Sequence, residues 1–139
     1  MGKRDGKLDL VKQKRKWFVR RISQSGSLAK ILLWGKMKTP IAYIQFGPIS
    51  EFQTAKMFYR ERLPIPRSGW CITCISLQSR YQDKGLAKRL VNNVLRDLKR
   101  RGIRAVDVYD MPEFWQSFNF EKILEDKKKN FTILRKKLR

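Results

Sequence analysis

The sequence predicts a mixed α/β (α+β) domain. It would be built on a single mixed, largely antiparallel sheet with a central parallel βαβ unit, flanked by helices. Three observations carry this. First, the apolar, β-branched run "GWCITCISL" (residues 69–77) precedes a strongly amphipathic stretch (85–102) and then "IRAVDVYD" (103–110), the order strand, helix, strand. Second, two-strand signals with polar turns lie on both sides of that unit. Third, 139 residues with 42% apolar composition, four Trp and eight Phe suit one folded domain spanning residues 1–139.

Along the chain, Leu10, Val11, Trp17, Phe18 and Ile22 recur at helical spacing among Lys and Arg, so residues 8–23 predict a basic amphipathic helix, which "SQSGS" ends. "LAKILLW" (28–34), the turn "GKMKTP" and "IAYIQF" (41–46) read as a β-hairpin. "GPIS" closes that strand, and Ser50 is placed to cap a short helix over residues 51–61. "RLPIPRSG" is an irregular connection, and the strand at 69–77 is continuous enough in apolar character to be covered on both faces. In the next helix Leu86, Leu90, Val91, Val94, Leu95 and Leu98 form one stripe, with Arg89, Asn93, Arg96 and Arg100 opposite. Lys and Arg in its last turn complement the helix dipole, and Gly102 suits a left-handed stop. A right-handed crossover then makes strands 69–77 and 103–110 parallel. "MPEFWQSF" (111–118) starts a short helix at a proline, and "NFEKILE" (119–125) with "NFTILRKKL" (130–138) forms a closing hairpin around "DKKK".

Composition excludes several chemistries. There is no histidine, so imidazole acid–base catalysis is absent, and two cysteines are too few for a Cys/His zinc site. Cys71 and Cys74 look like half of a redox or metal motif. However, three residues apart in a regular strand they would face opposite sides, which favours a core strand. No apolar run reaches the ~18 residues that span a bilayer, and the charged start lacks a secretory signal, so the expectation is a soluble, cytoplasmic protein without a membrane partner. Thirty-three Lys and Arg against twelve Asp and Glu give +21. That charge suits a nucleic acid, a phosphorylated cofactor or an acidic partner, or else a solvated basic surface.

The loop before the strong helix carries the main functional signal. In "RYQDKGLAKRL" the small residues Gly85 and Ala87 lie at the helix start, where free amides and the dipole favour an anion. Gln82, Asp83, Lys84, Gly85, Leu86 and Ala87 could present successive amides to a diphosphate, with Lys84, Lys88 and Arg89 adding charge. Asp83 suits a helix cap, although its charge opposes a phosphate. Read alone, the pattern is also compatible with an ordinary strand-to-helix turn. Neither a dinucleotide-binding glycine pattern nor a P-loop is present.

"ISLQSRYQDKGLAKRLVNNVL" resembles the R/Q-x-x-G-x-G/A signature of the GNAT-type N-acetyltransferases, which Gln82, Gly85 and Ala87 match. "EFWQSFNFEKI" resembles the family's second motif, F-Y-x-x-x-G-F, and the element order fits from about Leu28 onward. The family's first strand and helices are compressed here to the basic segment at 1–24. The resemblance implies acetyl-coenzyme A as cosubstrate and no metal. The diphosphate would rest on residues 82–87, and the pantetheine arm would lie along Ile75, Ser76 and Leu77 where the central strand splays from its neighbour. A primary amine, on a small molecule or a protein, would attack the thioester directly. The alternative is a basic nucleic-acid-binding module on a degenerate acetyltransferase scaffold; either would be a monomer or homodimer. The usual phenol of the second motif is replaced by Trp115, and its Gly by Asn119, a residue tolerant of positive φ. Tyr109 and Tyr81 are candidate acids in its place. Glu51, Asp110 and Glu113 are candidate bases, Tyr109 and Glu51 foremost. Trp17, Phe18 and Trp34 are candidates for the core or for the acceptor groove.

Overall fold

The structure is a computed structural model that describes residues 28–82 and 85–138. The expected N-terminal helix, with Trp17 and Phe18, lies outside the described residues, as do Asp83 and Lys84. In chain order the elements are β1 (Ala29–Trp34), β2 (Thr39–Pro48), a 3-10 turn (Ile49–Glu51), α1 (Gln53–Tyr59), β3 (Trp70–Leu77), a second 3-10 turn (Ser79–Tyr81) and α2 (Leu86–Arg100). After them come β4 (Ala105–Tyr109), α3 (Pro112–Gln116), β5 (Glu121–Asp126) and β6 (Phe131–Lys137). One six-stranded sheet runs β1-β2-β3-β4-β6-β5. β3 and β4 pair in parallel and every other neighbouring pair is antiparallel, so the predicted fold class holds.

Each face of the sheet is covered. On one side the whole predicted stripe of α2 is buried, and Leu90, Val91, Val94, Leu95 and Leu98 share a core with Ala42, Ile44, Phe46, Ile72, Val106 and Val108. Trp115, Phe118 and Phe120, on and after α3, complete this core. α2 stops as a glycine-terminated helix does: Gly102 takes φ +82°, its N–H donates to Lys99 O and the Ile103 N–H donates to Leu98 O. Its exposed flank is tied to β1, where Lys30 Nζ donates to Asn93 Oδ1 at 2.6 Å and pairs with Asp97 at 3.3 Å. The Asp97 carboxyl, partly desolvated, is nonetheless held below its usual range by the Arg101 hydrogen bond and charge and by Lys30. On the other side α1 packs Ala55 and Tyr59 against Cys71, Phe131 and Ile133.

Local chemistry shifts several boundaries. The helix expected over 51–61 is interrupted: residues 49–51 form a 3-10 turn, Phe52 is extended (φ −118°, ψ 106°), and α1 begins only at Gln53. Ser50 therefore caps nothing. Met111 adopts the left-handed region (φ 46°), so α3 begins at Pro112 in the first helical position and ends at Gln116. Asn119 takes the positive φ (66°) that its residue type tolerates. Gly85, at φ 71°, precedes the first helical residue of α2 and occupies the cap position expected of Asp83, a residue outside the described ones.

The faces of Cys71 and Cys74 require a correction. Gln45 pairs with Cys74 and Phe46 with Ile72, leaving Thr73 as an extra residue on β3. This β-bulge breaks the two-residue alternation. Ile72 and Ile75 consequently both pack toward α2, while Cys71 and Cys74 both face α1.

Because Leu98 is fully buried in the α2 stripe, Leu98→Ala leaves a cavity between helix and sheet. The expected destabilisation is about 2–5 kcal/mol, read as a lower urea midpoint at unchanged slope.

Candidate active site

The site begins with a gap in the sheet. β3 and β4 are paired only at Trp70–Val106 and Cys71–Asp107. Beyond that point β3 continues to Leu77 with β2 on one side, while Val108 and Tyr109 of β4 continue against β6. Residues 73–77 of β3 have no partner in β4 in the sheet register. An open strand edge thus lies inside the sheet, where an extended ligand can supply the missing partners. Ile75, Ser76 and Leu77 lie on this edge.

On the α2 face the edge opens into a cavity of about 290 Å³ lined by Leu77, Gly85, Leu86, Ala87, Lys88 and, from α3 and the turn after it, Phe114, Ser117 and Phe118. A Cβ built on Gly85 would meet no protein atom within 4 Å, so the space over this glycine is open. The glycine is needed for its left-handed backbone, and it leaves the helix start uncovered. An apolar wall beside a small-residue helix start with Lys88 fits a phosphate attached to an extended arm. Gln82 is described just before this helix start, in the turn after residues 79–81.

On the α1 face the bulge opens a second cavity, of about 400 Å³. Its lining is Gln45, Thr73 and Cys74 from β2 and β3, Glu51 to Ala55 and Phe58 from the α1 side, and Tyr109 from the end of β4. Glu51 and Tyr109, separated by 58 positions in the sequence, therefore share one cavity. Among the described residues no Lys or Arg lines it, and Glu51 is the one carboxylate that does.

Beneath this cavity lies a buried polar chain that sequence reasoning did not find. Asp107 is 1% exposed. Arg135 donates to it twice, Nε to Oδ1 at 2.7 Å and Nη2 to Oδ2 at 3.0 Å. The Tyr59 hydroxyl donates to Asp107 Oδ2 at 2.6 Å and lies 2.9 Å from the Tyr109 hydroxyl. Burial first, then neighbouring Cys71 and Tyr59, push the Tyr109 phenol well above its usual value; burial and then the Asp107 charge do the same to Tyr59. Burial lifts the Cys71 thiol to about 12. Arg135 is held more firmly protonated by its bond to Asp107. A lone acid in "AVDVY" was the one sequence signal for this cluster.

The remaining candidates lie elsewhere. Trp115 is 2% exposed and packs on Phe114, Phe118 and Phe120, a core role, so it provides no phenol-like group. Tyr81 stacks against Trp34 at 5.6 Å between ring centroids, outside both cavities, and Trp34 is exposed rather than core or groove. Asp110 and Glu113 are exposed and line neither cavity. Among the described residues no cluster of Cys, Asp and Glu could hold a metal ion, and no helix is long and apolar enough to cross a membrane.

A sheet opened between its two parallel strands, with a glycine-led helix start at one mouth, defines an acyl-carrier-binding architecture. Comparison agrees. The model of the acetyltransferase (GNAT) family matches residues 5–120, and the chain belongs to that family. Its cosubstrate is accordingly acetyl-coenzyme A, and the cavity at Gly85 fits it. No curated protein matches the sequence significantly. Among solved structures, the fold is similar to a protein assigned as an acetyltransferase from Staphylococcus aureus (TM-score 0.62, 21% identity, covering 100% of this chain and 95% of that one). It is similar also to the PaiA N-acetyltransferase of Thermoplasma acidophilum in complex with coenzyme A (0.57, 18%, covering 88% and 67%). A third is the ribosomal-protein-S18-alanine N-acetyltransferase of Escherichia coli (0.52, 12%, covering 76% and 65%).

The two thiols should behave differently. Cys74 is exposed and Cys71 buried and protonated, so a thiol reagent at pH 8 should label Cys74 alone in the native protein and both after unfolding. Peptide mass spectrometry checks the assignment, and rapid native labelling of Cys71 would contradict the packing described.

Proposed function

We propose that this protein is an N-acetyltransferase that moves the acetyl group of acetyl-coenzyme A to a primary amine by direct attack. The observation that carries the reading is the cavity on the α1 face. In a chain of net charge +21, its lining among the described residues includes the carboxylate of Glu51 and the rings of Phe52, Phe58 and Tyr109, and no Lys or Arg. A carboxylate among aromatic faces suits an ammonium group. The acceptor is therefore a protonated primary amine on an apolar stem, such as an aryl-alkyl amine, a lysine side chain or a peptide α-amine.

The chain's residues divide the work. Gln82 and residues 85–88 hold the diphosphate end, with Asp83 and Lys84 completing the loop in sequence. Ile75, Ser76 and Leu77 pair with the amides of the arm along the open edge. Acetyl-coenzyme A supplies the activated thioester. Glu51 removes the proton that keeps the amine an ammonium, and the Tyr109 phenol, held protonated by its buried setting, donates to the departing sulfur. Alignment of the two reactants across the gap in the sheet lowers the barrier further.

Calorimetry and a thiol-release assay with a panel of primary amines test this. Gly85→Glu should abolish acetyl-coenzyme A binding by filling the open space over the helix start. Glu51→Gln should leave that binding intact and lower the acetylation rate by about 10²–10⁴-fold. Absence of binding by the unsubstituted protein at low salt and millimolar ligand would sink the proposal.

A second reading rests on a different surface. A groove of about 570 Å³ between α2 and β6 is lined, among the described residues, by Asn92, Leu95, Arg96, Lys99, Lys136, Lys137 and Leu138, and by no acid. This supports a nucleic-acid contact, either as the main role of the protein or as the way it holds a nucleic-acid-bound substrate. None of these described lining residues is aromatic, so recognition would run through phosphates of duplex or structured RNA rather than through stacked bases. Affinity for an RNA hairpin should then fall steeply with salt and weaken in Arg96→Gln plus Lys99→Gln; affinity independent of salt excludes it.

A further inference from the structure

The hydrogen bonds beneath the acceptor cavity have a fixed direction. An ionised carboxylate only accepts, so Asp107 takes its bonds from Arg135 and from the single hydroxyl hydrogen of Tyr59. Tyr59 has no second hydrogen. In its 2.9 Å contact with Tyr109 the donor is therefore Tyr109. At rest the Tyr109 hydrogen is directed at Tyr59, and the lone pairs of its oxygen remain to accept. A phenol in this state can take a proton from the cavity before it can give one.

We propose that Tyr109, Tyr59 and Asp107 form a proton relay that takes the proton leaving the acceptor nitrogen and returns it to the departing sulfur. This rests on the acetyl-transfer reading above and adds to it the origin of the proton that Tyr109 donates. As the amide forms, the N–H bond breaks and an O–H bond forms at Tyr109. The original Tyr109 proton moves to the Tyr59 oxygen, and the original Tyr59 proton moves to Oδ2 of Asp107. The chain is now reversed, with the hydrogen on Tyr109 directed at the cavity. It passes to the thiolate, and the Tyr59 and Asp107 protons step back in turn. One proton has moved from nitrogen to sulfur, and the relay is unchanged.

Arg135 is a positioning residue in this scheme. Its two bonds, at 2.7 and 3.0 Å, fix the Asp107 carboxylate with Oδ2 facing the Tyr59 hydroxyl, which sets the direction of the chain. Cys71 stays a neutral thiol and takes no proton.

Two measurements test the relay. Neutron diffraction from crystals of the deuterated full chain should place the Tyr109 deuteron between the two phenol oxygens; a deuteron directed at the cavity or at Cys71 Sγ overturns the proposal. The kinetic test uses Tyr59→Phe, Tyr109→Phe and the double variant, with whichever amine of the panel is acetylated fastest. Each single change should lower kcat by about 10²–10³-fold with the KM for acetyl-coenzyme A nearly constant, and the double variant should lose no more than Tyr109→Phe alone. The dependence of kcat on deuterium fraction should be curved in the unsubstituted protein and linear in Tyr59→Phe, which a merely structural role would not produce. Full kcat in Tyr59→Phe with loss in Tyr109→Phe overturns the relay and leaves the transfer reading standing. Full kcat in Tyr109→Phe overturns the relay and the donor role of Tyr109 while acetyl transfer stands; no amine acetylated at all overturns both readings.

Discussion

Parallel pairing between β3 and β4 stops after Cys71–Asp107, and the rest of the molecule is arranged around that point. A central strand with one unpaired edge would be costly if it were sealed in a core, because buried peptide groups need partners. Here the edge is left open and accessible. The Thr73 bulge lies two residues past the last pair, where it turns β3 and adds twist. β4 does not follow, because it stays paired with β6 from Ala105 to Tyr109. The separation is therefore built from ordinary strand pairing on the outer sides of both strands, with no strained inner contact required.

Asp107 occupies the vertex of this opening, which gives its burial a structural meaning. Its carboxylate bonds to α1 through Tyr59 and to β6 through Arg135, so the helix and the two sides of the gap are fixed relative to one another. Removing either partner would leave a buried charge unpaired, a costlier change than the net value of the pair itself suggests. Tyr109, one step of the alternation further along β4, inherits its position from the same anchor.

The architecture was readable from sequence wherever a local period expresses it. The α2 stripe, both hairpins and the βαβ order depend on 3.6- and 2-residue repeats; the α2 stripe is buried as its repeat requires, and both hairpins pair as antiparallel strands. The misassigned faces of Cys71 and Cys74 show the limit: a bulge inserts one residue into the period and nothing in "WCITCISL" marks it. The interruption before α1 has a similar origin, because Phe52 takes an extended conformation in a stretch that also suits a helix. The polar chain was out of reach for another reason. Tyr59 and Arg135 stand 48 and 28 positions from Asp107, and no short-range pattern links them. The helix start at Gly85 was visible because its pattern, a small residue opening a helix after a strand, is itself local.

The distribution of charge completes the physical picture. A field from thirty-three Lys and Arg draws a polyphosphorylated cosubstrate toward the molecule. The same field repels an ammonium, which is at odds with an amine acceptor if net charge is the whole argument. It is not, because exposed charges are screened beyond about 10 Å at ordinary ionic strength. Within the α1-face cavity the groups in contact decide, and these are Glu51 and three aromatic rings. Arg135, the cation of the chain beneath that cavity, is neutralised by Asp107 at 2.7 Å. In the proposed reading the two reactants then enter from opposite faces of the sheet. The anionic one comes past Gly85 and Lys88 and the cationic one past Glu51, and they meet where β3 and β4 have parted. Each face carries the local charge its own reactant needs, and the sheet between them keeps Lys88 from the ammonium and Glu51 from the phosphates.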